Sequence, residues 1–531
     1  MRIGPKIVPL IALALVLALV AGACSKKTPA TGGGGTTGAS IVWGTTDSET
    51  SNDPAKCYEL FCGDLLTVVY SRLISYPAQG TDLIPDAASA LPTISSDGLT
   101  YTFKLKPNLK FSDGSALDAA AVKFSIDRVI KLNVSGSAAF LLSDSMQSVD
   151  APDASTVIFH LKHADSTFSS KLSFTVASIV NPRVMPATSV APNTMIAGSG
   201  FYTMDPAKYV EGQSIELDAN PNAVLGPPKN GKVLVKFYSS SSALKLALQN
   251  KEIDVAFHTF TTTETASLKA NPNITTTGPG LGRIRFLVFD VKQKPWDNVH
   301  MRKAIVYAVD RARINTDAFS GLVKPSYSMV RSSFGVYDPV FQTTYGTKPD
   351  KSKVNSELAL AGIPAGQKVP ITLWASTGHY GDSEQDVQVS IKRQLEETGR
   401  FTVTTKTEDW DAYKVDLAKP PGKFGLFLLG WFPDYFDPDD YINPFIGTAG
   451  AQSQGSFFSD PAVDEQIKQE QANPDQTARA TIFKQLQQVI ADKALYDPLW
   501  EQAEYIFTQK NVTGAALDVT SYLRFEVLTK S

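Results

Sequence analysis

A strand pattern, a helix pattern and a second strand pattern follow one another within residues 232–257, and this order constrains the fold more than any other feature. Apolar and polar residues alternate over 232–238, helical spacing covers 242–249, and an apolar segment covers 253–257. Two strands that are joined by a helix pair in parallel, because the helix crosses over the sheet between them. The sequence therefore predicts an α/β protein with a partly parallel sheet.

A second series of strand and helix patterns occupies the later part of the chain. Its apolar strand patterns lie at 284–289, 370–375 and 424–429, and a glycine-rich stretch at 278–282 separates it from the first series. The chain has 531 residues, which is more than one hydrophobic core usually organises. We therefore predict two lobes, with a last strand around residues 505–509 that returns the chain to the first lobe.

The first residues have the pattern of an export signal. Arg2 and Lys6 precede an apolar run over residues 7–20, and three small residues then lead to Cys24. The apolar run has 14 residues, whereas a membrane-spanning helix needs about 20. The sequence therefore predicts a signal peptide over residues 1–23.

The small residues before Cys24 resemble a bacterial lipobox, in which the cysteine becomes the lipidated first residue of the mature protein. Ala21 departs from that pattern, because lipoboxes usually carry leucine three positions before the cysteine. The alternative is plain secretion with cleavage near Ala23. Residues 24–39 are rich in Ser, Lys, Thr and Gly, which predicts a flexible tether. We expect an extracytoplasmic protein, anchored to the outer face of the cell membrane through Cys24 or free in the periplasm.

Cys57 and Cys62 are the two cysteines that remain in the chain. In an oxidising compartment, two cysteines that lie close together can form a disulfide that closes a small loop. The alternative is two free thiols in a helix, where positions five apart point in different directions. We predict the disulfide.

Composition and motifs argue against several classes of function. The 50 basic and 53 acidic side chains nearly balance, so no nucleic-acid partner is expected. Five histidines and three cysteines are few ligands for a metal site built from several Cys and His side chains. The chain has no Gly-x-Ser-x-Gly and no His-Glu-x-x-His motif, which are common hydrolase signatures. We expect no catalytic residues, no metal, no cofactor and no enzyme activity.

A cluster of aspartates follows the apolar strand pattern at 424–429. Its members are Asp434, Asp437, Asp439 and Asp440. Their spacing lacks the glycine and the distant glutamate of a calcium loop. A secreted hydrolase that uses them as an acid/base pair is the less favoured alternative, because the carboxyl groups of glycosidases flank the reacting bond from two sides and these share one loop.

Several sequence blocks follow one another in a fixed order along nearly the whole mature chain. They are SDGLTYTFKLK (96–106), FSDG (111–114), GSGFY (198–202), EIDV (252–255), PWD (295–297), AVDR (308–311), GWFPDY (430–435) and PD (438–439). In this order the blocks resemble those of the bacterial extracellular solute-binding proteins of the oligopeptide, dipeptide and nickel receptor family, which is family 5 of the ABC-importer receptors.

The resemblance implies a two-lobed fold of the periplasmic-binding-protein (Venus flytrap) type, with an extra β-rich subdomain in the first lobe. It assigns residues 40–283 and 506–531 to lobe I, about 76–190 to its subdomain, and 284–505 to lobe II. It implies that a monomer captures a peptide-like solute between the lobes and delivers it to the permease subunits of an ABC importer. A nickel chelate, haem or an oligosaccharide remains an alternative ligand, because one fold accepts many ligands.

The GWFPDY block carries the predicted ligand site. In peptide receptors of the family, the acid of this block pairs with the ligand's α-amino group, and the matching residue is Asp434. The tryptophan of the block lines the cleft, which matches Trp431, and the neighbouring backbone groups that pair with an extended ligand match Gly430 and Phe432. Polar residues just past a buried strand also emerge at a sheet edge, where α/β ligand sites form. The alternatives are a core tryptophan and an acid that caps a turn.

Replacing Cys24 tests the predicted anchor. Serine has no thiol that can be acylated, so Cys24→Ser is expected to move the protein from the membrane fraction into the soluble extracytoplasmic fraction or the medium. Cell fractionation followed by immunoblotting measures the change. Unchanged retention in the membrane fraction would contradict lipidation at this residue.

Overall fold

The computed structural model describes residues 38–280, 283–377, 379–381 and 383–531. The predicted signal peptide, Cys24 and the tether up to residue 37 lie outside these residues. Within the described part of the chain, no helix combines the length and the apolar character that a membrane crossing requires.

The strands lie as follows in chain order: β1 (Ser40–Thr45), β2 (Ile74–Ser75), β3 (Ile84–Pro85), β4 (Thr93–Ile94), β5 (Thr100–Lys104), β6 (Met146–Asp153), β7 (Thr156–Leu161), β8 (Tyr202–Val210), β9 (Ser214–Ala219), β10 (Lys232–Phe237), β11 (Val255–Phe257), β12 (Ile274–Gly280), β13 (Ile284–Phe289), β14 (Lys324–Pro325), β15 (Val369–Thr377), β16 (Phe401–Asp409), β17 (Leu426–Trp431), β18 (Tyr496–Glu501), β19 (Glu504–Gln509), β20 (Val512–Thr513) and β21 (Thr529–Lys530).

The helices lie as follows: α1 (Leu60–Val69), α2 (Ala119–Leu132), α3 (Phe140–Ser143), α4 (Phe168–Leu172), α5 (Ser241–Gln249), α6 (Thr262–Lys269), α7 (Val299–Ala308), α8 (Arg311–Phe319), α9 (Val340–Tyr345), α10 (Lys351–Leu360), α11 (Ser383–Glu397), α12 (Trp410–Leu417), α13 (Asn443–Ile446), α14 (Thr448–Ser453), α15 (Pro461–Gln471) and α16 (Gln476–Lys493). Short 3₁₀ turns lie at Thr175–Ala177, Pro438–Tyr441 and Phe525–Val527.

The first large sheet has the strand order β12-β19-β11-β1-β10-β9-β8. Strand β1 lies between β10 and β11 and pairs in parallel with both, while α5 crosses over between β10 and β11. The predicted partly parallel sheet is therefore confirmed. The inserted strand β1 comes from a distant part of the sequence, which the local pattern could not show.

The second large sheet has the strand order β14-β18-β13-β17-β15-β16. Strand β15 pairs in parallel with β16 and β17, and β13 runs antiparallel to both of its neighbours. Every residue of β13 and of β17 is buried, because helices cover both faces of the sheet centre. Each large sheet is the centre of its own large hydrophobic core.

The chain passes between the two large sheets at two places. It leaves the first sheet after β12 and enters the second at β13, and it returns between β18 and β19. A smaller antiparallel sheet, β4-β5-β7-β6, is built from residues inserted between β1 and β8, and its apolar side chains join the first core. The strands that connect the two sheets are thus close together in space, since β12 pairs with β19.

Two glycines of the GSGFY block allow two backbone segments to come into contact. The amide of Gly200 donates to the carbonyl of Val69 at the end of α1, with an N···O distance of 3.1 Å. A Cβ atom on Gly200 would lie 2.5 Å from the carbonyl oxygen of Val68, and one on Gly198 would collide with the carbonyl oxygen of Val69. The block therefore serves packing of the first core, because backbone atoms cannot move aside as a flexible side chain can.

Replacing Gly200 by alanine tests this close approach. The added methyl group forces two backbone segments apart, and overpacking of this kind costs about 1–3 kcal/mol of unfolding free energy, measured by denaturant unfolding. Gly335→Ala is the matched control, because a Cβ atom there meets no atom within 4 Å. Equal stability of Gly200→Ala and the wild-type protein would contradict the packing role.

Candidate functional site

The carboxyl ends of parallel strands from the two large sheets face each other across a cleft. Asp47 and His258 follow β1 and β11 in the first sheet, and their side chains lie 3.1 Å apart (Oδ1 to Nδ1). Phe432 follows β17 in the second sheet, and its ring centroid lies 6.2 Å from that of His258. Ligand sites of α/β proteins form at such strand ends.

Hydrogen bonds join the two sides of the cleft directly. They run from Tyr58 Oη to Asp434 Oδ2 (2.7 Å), from Phe436 N to Tyr76 Oη (3.3 Å), from Ser166 N to Gln471 O (2.6 Å) and from Thr262 Oγ1 to Ala318 O (3.2 Å). In addition, the Tyr435 side chain belongs to the first core although its segment follows β17 of the second sheet. The structure therefore shows the cleft in a closed arrangement.

Asp434 lies at the centre of this closed cleft. Only 5% of the residue is exposed, and the hydroxyl of Tyr58 from the opposite side donates to its Oδ2. Its own backbone amide donates to Oδ2 of Asp440, with an N···O distance of 3.0 Å. The loop thus folds back on itself and brings two buried acidic residues together.

Burial dominates the electrostatics of this acidic pair. Desolvation raises the pKa of Asp434 to about 7, and the hydrogen bond from Tyr58 acts in the opposite direction. The pKa of Asp440 is raised well above its ordinary range, first by burial and then by the charge of Asp434. Among the described residues, no lysine or arginine forms an ion pair with either carboxyl group, and Oδ1 of Asp440 has no hydrogen-bond partner. The two carboxyl groups are therefore buried together without a cationic partner among the described residues.

Trp431 has a packing role as well as a polar one. It is 8% exposed, and its ring packs edge-on against Phe445, with 5.2 Å between the centroids. Its indole N–H donates to Oδ2 of Asp440 at 3.2 Å. Trp431 thus belongs to the second core, and its indole N–H holds the Asp440 carboxyl group in place.

The other two predicted site residues lie in different surroundings. Gly430 is fully engaged, because its N–H donates to the Tyr380 hydroxyl (3.0 Å) and its carbonyl accepts from the same hydroxyl (3.3 Å). Phe432 is half-buried in the cleft, and the guanidinium carbon of Arg283 lies 4.0 Å from its ring centroid. The structure therefore brings Trp431, Phe432 and Asp434 together at the cleft, while the backbone of Gly430 is already paired within its own side.

Sequence reasoning missed Tyr58, the residue that contacts Asp434 from the opposite side of the cleft. The structure joins Cys57 and Cys62 in a disulfide, and Tyr58 lies within the small loop that this bond closes. The disulfide loop was the available signal, because a short closed loop presents its side chains in a fixed direction. Asp440 was noticed only as one of several acids, since its contact with the Asp434 backbone depends on how the loop folds.

A cavity that is partly open to solvent lies near the Asp434 loop, with about 690 Å³ of empty space when the open part is included. Its lining includes Arg283, which contacts Phe432, and Tyr380, which contacts Gly430, but not Tyr58, Asp434 or Asp440. It is lined from both sides of the cleft, by His258 and Thr259 of the first and by Tyr380 of the second, and Arg283 and Glu504 of the two connecting segments complete it. His258 and Thr259 both have positive φ angles, 70° and 62°, and such strained backbone is concentrated at ligand sites. Within the described part of the chain, no group of three His, Cys, Asp or Glu side chains could hold a metal ion.

Comparison with known proteins identifies the family. The model of the bacterial extracellular solute-binding proteins, family 5, matches residues 82–453. This chain belongs to family 5 of the bacterial extracellular solute-binding proteins. Family 5 was the resemblance that the sequence blocks indicated, and it is confirmed.

Individual relatives in family 5 are distant but match over most of their length. The probable D,D-dipeptide-binding periplasmic protein DdpA of Escherichia coli K12 is 26% identical over 475 residues, which cover 87% of this chain and 88% of DdpA. Two solved structures, each covering 93% of this chain, are DppA of Helicobacter pylori with the peptide STSA (21% identity, 98% of that chain covered, TM-score 0.81) and NikA of Staphylococcus aureus with Ni(L-His)₂ (16%, 100%, 0.77). These likenesses show the two-lobed periplasmic-binding-protein fold, as predicted.

The raised pKa of Asp434 has a consequence for the stability of the ligand-free protein. A carboxyl group whose pKa is higher in the folded state destabilises the fold as the pH rises from about 4 to 7, and the full cost remains above pH 7. Asparagine cannot ionise, so Asp434→Asn is expected to be more stable than the wild-type protein at pH 8, by up to ~4 kcal/mol. The gain should vanish towards pH 4, as followed by denaturant unfolding at several pH values. An equal difference between the two proteins at pH 4 and pH 8 would contradict a buried, titrating Asp434.

Proposed function

We propose that this chain is the substrate-binding protein of an ABC importer, and that it captures a peptide-like solute between two lobes and delivers it to membrane permease subunits. The observation that carries the proposal is the buried carboxylate of Asp434, which lies in a closed cleft without a cationic partner among the described residues. Membership of family 5 supports transport as the purpose of that cleft.

The lobe assignment follows the two large sheets. Residues 40–283, with the subdomain at about 76–190, form lobe I, and lobe II follows from residue 284. We place the return to lobe I at Glu504 instead of residue 506, because Glu504 already pairs with Gly280 of the first sheet. The connecting segments are the hinge on which the lobes open and close.

A ligand ammonium group is the cation that would pair with these buried acids. Desolvation makes an isolated buried carboxylate costly, and an ammonium that donates to it forms a charge-assisted hydrogen bond of about 2.7–2.9 Å. The cation would also lower the pKa of Asp434, so that the residue is ionised when the ligand is bound. The free α-amino group of a peptide is such a cation. DdpA is named as a D,D-dipeptide-binding protein, and the H. pylori protein was solved in complex with a peptide.

The rest of the cleft suits an extended ligand of variable side chains. The cavity that continues from Arg283 to Tyr380 supplies space, and the ring of Phe432 supplies apolar surface beside Asp434. We assign the ligand contacts to Asp434 and to Phe432, with Trp431 holding Asp440 behind them. Gly430 enters this proposal only as the position that leaves room for Arg285, whose Nη1 would lie 2.6 Å from an added Cβ.

The receptor is non-catalytic and extracytoplasmic in this proposal. Asp434 and Asp440 lie on the same side of the cleft and are joined through a backbone hydrogen bond, so they cannot flank a glycosidic bond as the acids of a glycosidase do. We further propose that the protein is a monomer held at the membrane by lipidated Cys24. Mass spectrometry of the ligand that co-purifies from the native host distinguishes a peptide from a nickel chelate, haem or an oligosaccharide.

Binding of free and N-acetylated peptides tests the role of Asp434. Loss of one partner of an enclosed charge pair costs about 2–5 kcal/mol, so Asp434→Asn should weaken binding of a free-amine peptide by roughly 30- to 3000-fold. An acetylated peptide has no ammonium group, and its binding should change much less. The probes are a random tripeptide pool and its N-acetylated copy, with the bound fraction measured by mass spectrometry.

Two outcomes decide against this role. Equal losses for free and acetylated peptides would show that Asp434 supports the loop and does not read the amino group. Hydrolysed peptides in the recovered fraction would contradict the receptor and favour an enzyme. Phe432→Ala is the control, because it removes apolar surface beside Asp434 and no charge, and it should weaken both pools alike.

A further inference from the structure

We infer that Tyr58, held in place by the Cys57–Cys62 disulfide loop, is a positioning residue that orients the Asp434 carboxylate towards the ligand's amino group from the opposite lobe. This inference rests on the proposed function of the cleft. It adds a role for lobe I, because this lobe closes over the ligand and also orients the carboxylate of lobe II.

The hydrogen bond between the two side chains occupies one carboxylate oxygen. Tyr58 Oη donates to Oδ2 of Asp434 at 2.7 Å, and among the described residues no donor reaches Oδ1. Because one oxygen is held and the backbone amide of Asp434 is fixed by Asp440, the side chain has one orientation. Oδ1 is then the atom left for an ammonium group.

The ring of Tyr58 is fixed by aromatic neighbours. It meets Phe140 and Phe174 edge-on, with centroid distances of 5.8 and 6.1 Å. Both neighbours belong to lobe I, so the ring direction does not depend on Asp434. Tyr58→Phe keeps these ring contacts and removes only the hydroxyl group.

The backbone of Tyr58 is held on both sides. Cys62 lies in the first turn of α1 and is bonded to Cys57, with 5.9 Å between the Cα atoms. On the other side, the amide of Cys57 donates to the carbonyl of Asp53 at 2.8 Å, and the Asp53 carboxylate forms two hydrogen bonds with Arg128 (2.8 and 2.5 Å). The disulfide and the buried ion pair together fix the loop that points Tyr58 across the cleft.

The titratable groups that face Asp434 come from both lobes. Lobe I contributes the hydroxyl groups of Tyr58 and Tyr522, whose pKa values are both raised well above the ordinary range by burial and by the charge of Asp434. Lobe II contributes Asp440, whose pKa is also raised by burial; Arg331 lies one step further away, on the Tyr441 hydroxyl. Tyr58 therefore stays a neutral donor in the physiological range, whereas Asp434 and Asp440 form an acidic pair whose pKa values are both raised.

Removal of the Tyr58 hydroxyl should change the pKa of Asp434 in one direction only. A hydrogen bond to the charged form of a carboxyl group lowers its pKa, so Tyr58→Phe should raise the pKa of Asp434. A larger fraction of Asp434 is then protonated near neutral pH, and binding of an ammonium weakens by roughly 10-fold at pH 6–7. The midpoint of the rise in binding with pH should move up by about one pH unit.

The experiment is a competition between the free-amine tripeptide pool and its N-acetylated copy, at pH values from about 5 to 9. Mass spectrometry of the bound fraction gives the ratio of free to acetylated peptide. This ratio is divided by the protonated fraction of the peptide amine, whose own pKa is about 7.7–8.0, and the rise of the corrected ratio with pH is compared between proteins. Tyr76→Phe is the matched control, because the Tyr76 hydroxyl also bridges the cleft, to the amide of Phe436 (3.3 Å), and does not touch Asp434. The Tyr58→Phe midpoint should move up, and the Tyr76→Phe midpoint should stay at the wild-type value.

The role of the disulfide is tested with the same measurement, the midpoint of the rise in binding with pH. The double variant Cys57→Ser/Cys62→Ser should shift the midpoint in the same direction as Tyr58→Phe, and it should add no further shift when it is combined with Tyr58→Phe. If the double variant does not fold, the comparison of Tyr58→Phe with Tyr76→Phe decides alone.

The outcomes separate this inference from the proposed function. If the wild-type protein shows no preference for free amines at any pH, the proposed function of Asp434 fails. If the wild-type preference is present but the Tyr58→Phe midpoint equals that of the wild-type protein, or the Tyr76→Phe midpoint moves as far, the positioning role of Tyr58 is overturned while the proposed function stands.

Discussion

The hydrogen bond between Tyr58 and Asp434 joins the two halves of the molecule at a buried carboxyl group. A carboxylate removed from water destabilises the protein unless a donor or a cation compensates for the lost hydration. The phenol supplies one donor, yet burial still raises the pKa of Asp434 to about 7. The arrangement is therefore electrostatically incomplete, and this incompleteness supports our proposal that it is a binding site and not a structural ion pair.

Completed pairs elsewhere in the same cleft show the contrast. Arg479 lies between Asp437 and Glu470, with Nη2···O distances of 2.7 and 2.8 Å, and Lys171 lies 2.8 Å from Asp165. These buried acids have their cations within the chain, so they stabilise loops close to the cleft. Asp434 has no such partner among the described residues, which supports our proposal that a ligand supplies the cation.

The fold explains why the incomplete site lies at the cleft. Parallel strands end at the same edge of each sheet, and the two such edges face each other because β12 and β19 connect the lobes side by side. The sheet centres, β13 and β17, are buried along their whole length. The cleft residues Phe432 and Asp434 therefore lie just beyond Trp431, the last residue of β17.

Local patterns were sufficient for the sheet interior and for part of the site. The alternation over 232–238 and the apolar run over 424–429 predicted strands. A strand that buries one face has apolar residues at alternate positions, and a strand that buries both faces is apolar throughout. The GWFPDY block located Asp434 and Phe432 at the cleft. It also suggested free backbone groups at Gly430, but the structure pairs them with Tyr380, 50 residues away in the chain.

Contacts between the lobes left no local mark in the sequence. Tyr58 and Asp434 are separated by 376 residues, and neither residue has an unusual neighbourhood apart from the disulfide loop around Tyr58. The Gly198 and Gly200 contacts with the end of α1 are of the same kind: the glycines are visible in the sequence, but the backbone that they approach is not. Such pairings follow from the closed tertiary structure alone.

A crystal structure of the protein with the peptide recovered from its native host tests the central claim most directly. The account predicts that the peptide's amino nitrogen lies about 2.7–3.2 Å from a carboxylate oxygen of Asp434, with the Tyr58 hydroxyl still on the other oxygen. A peptide whose amino nitrogen points to solvent, or which pairs with a different acid while Asp434 keeps only its bond to Tyr58, would contradict the account.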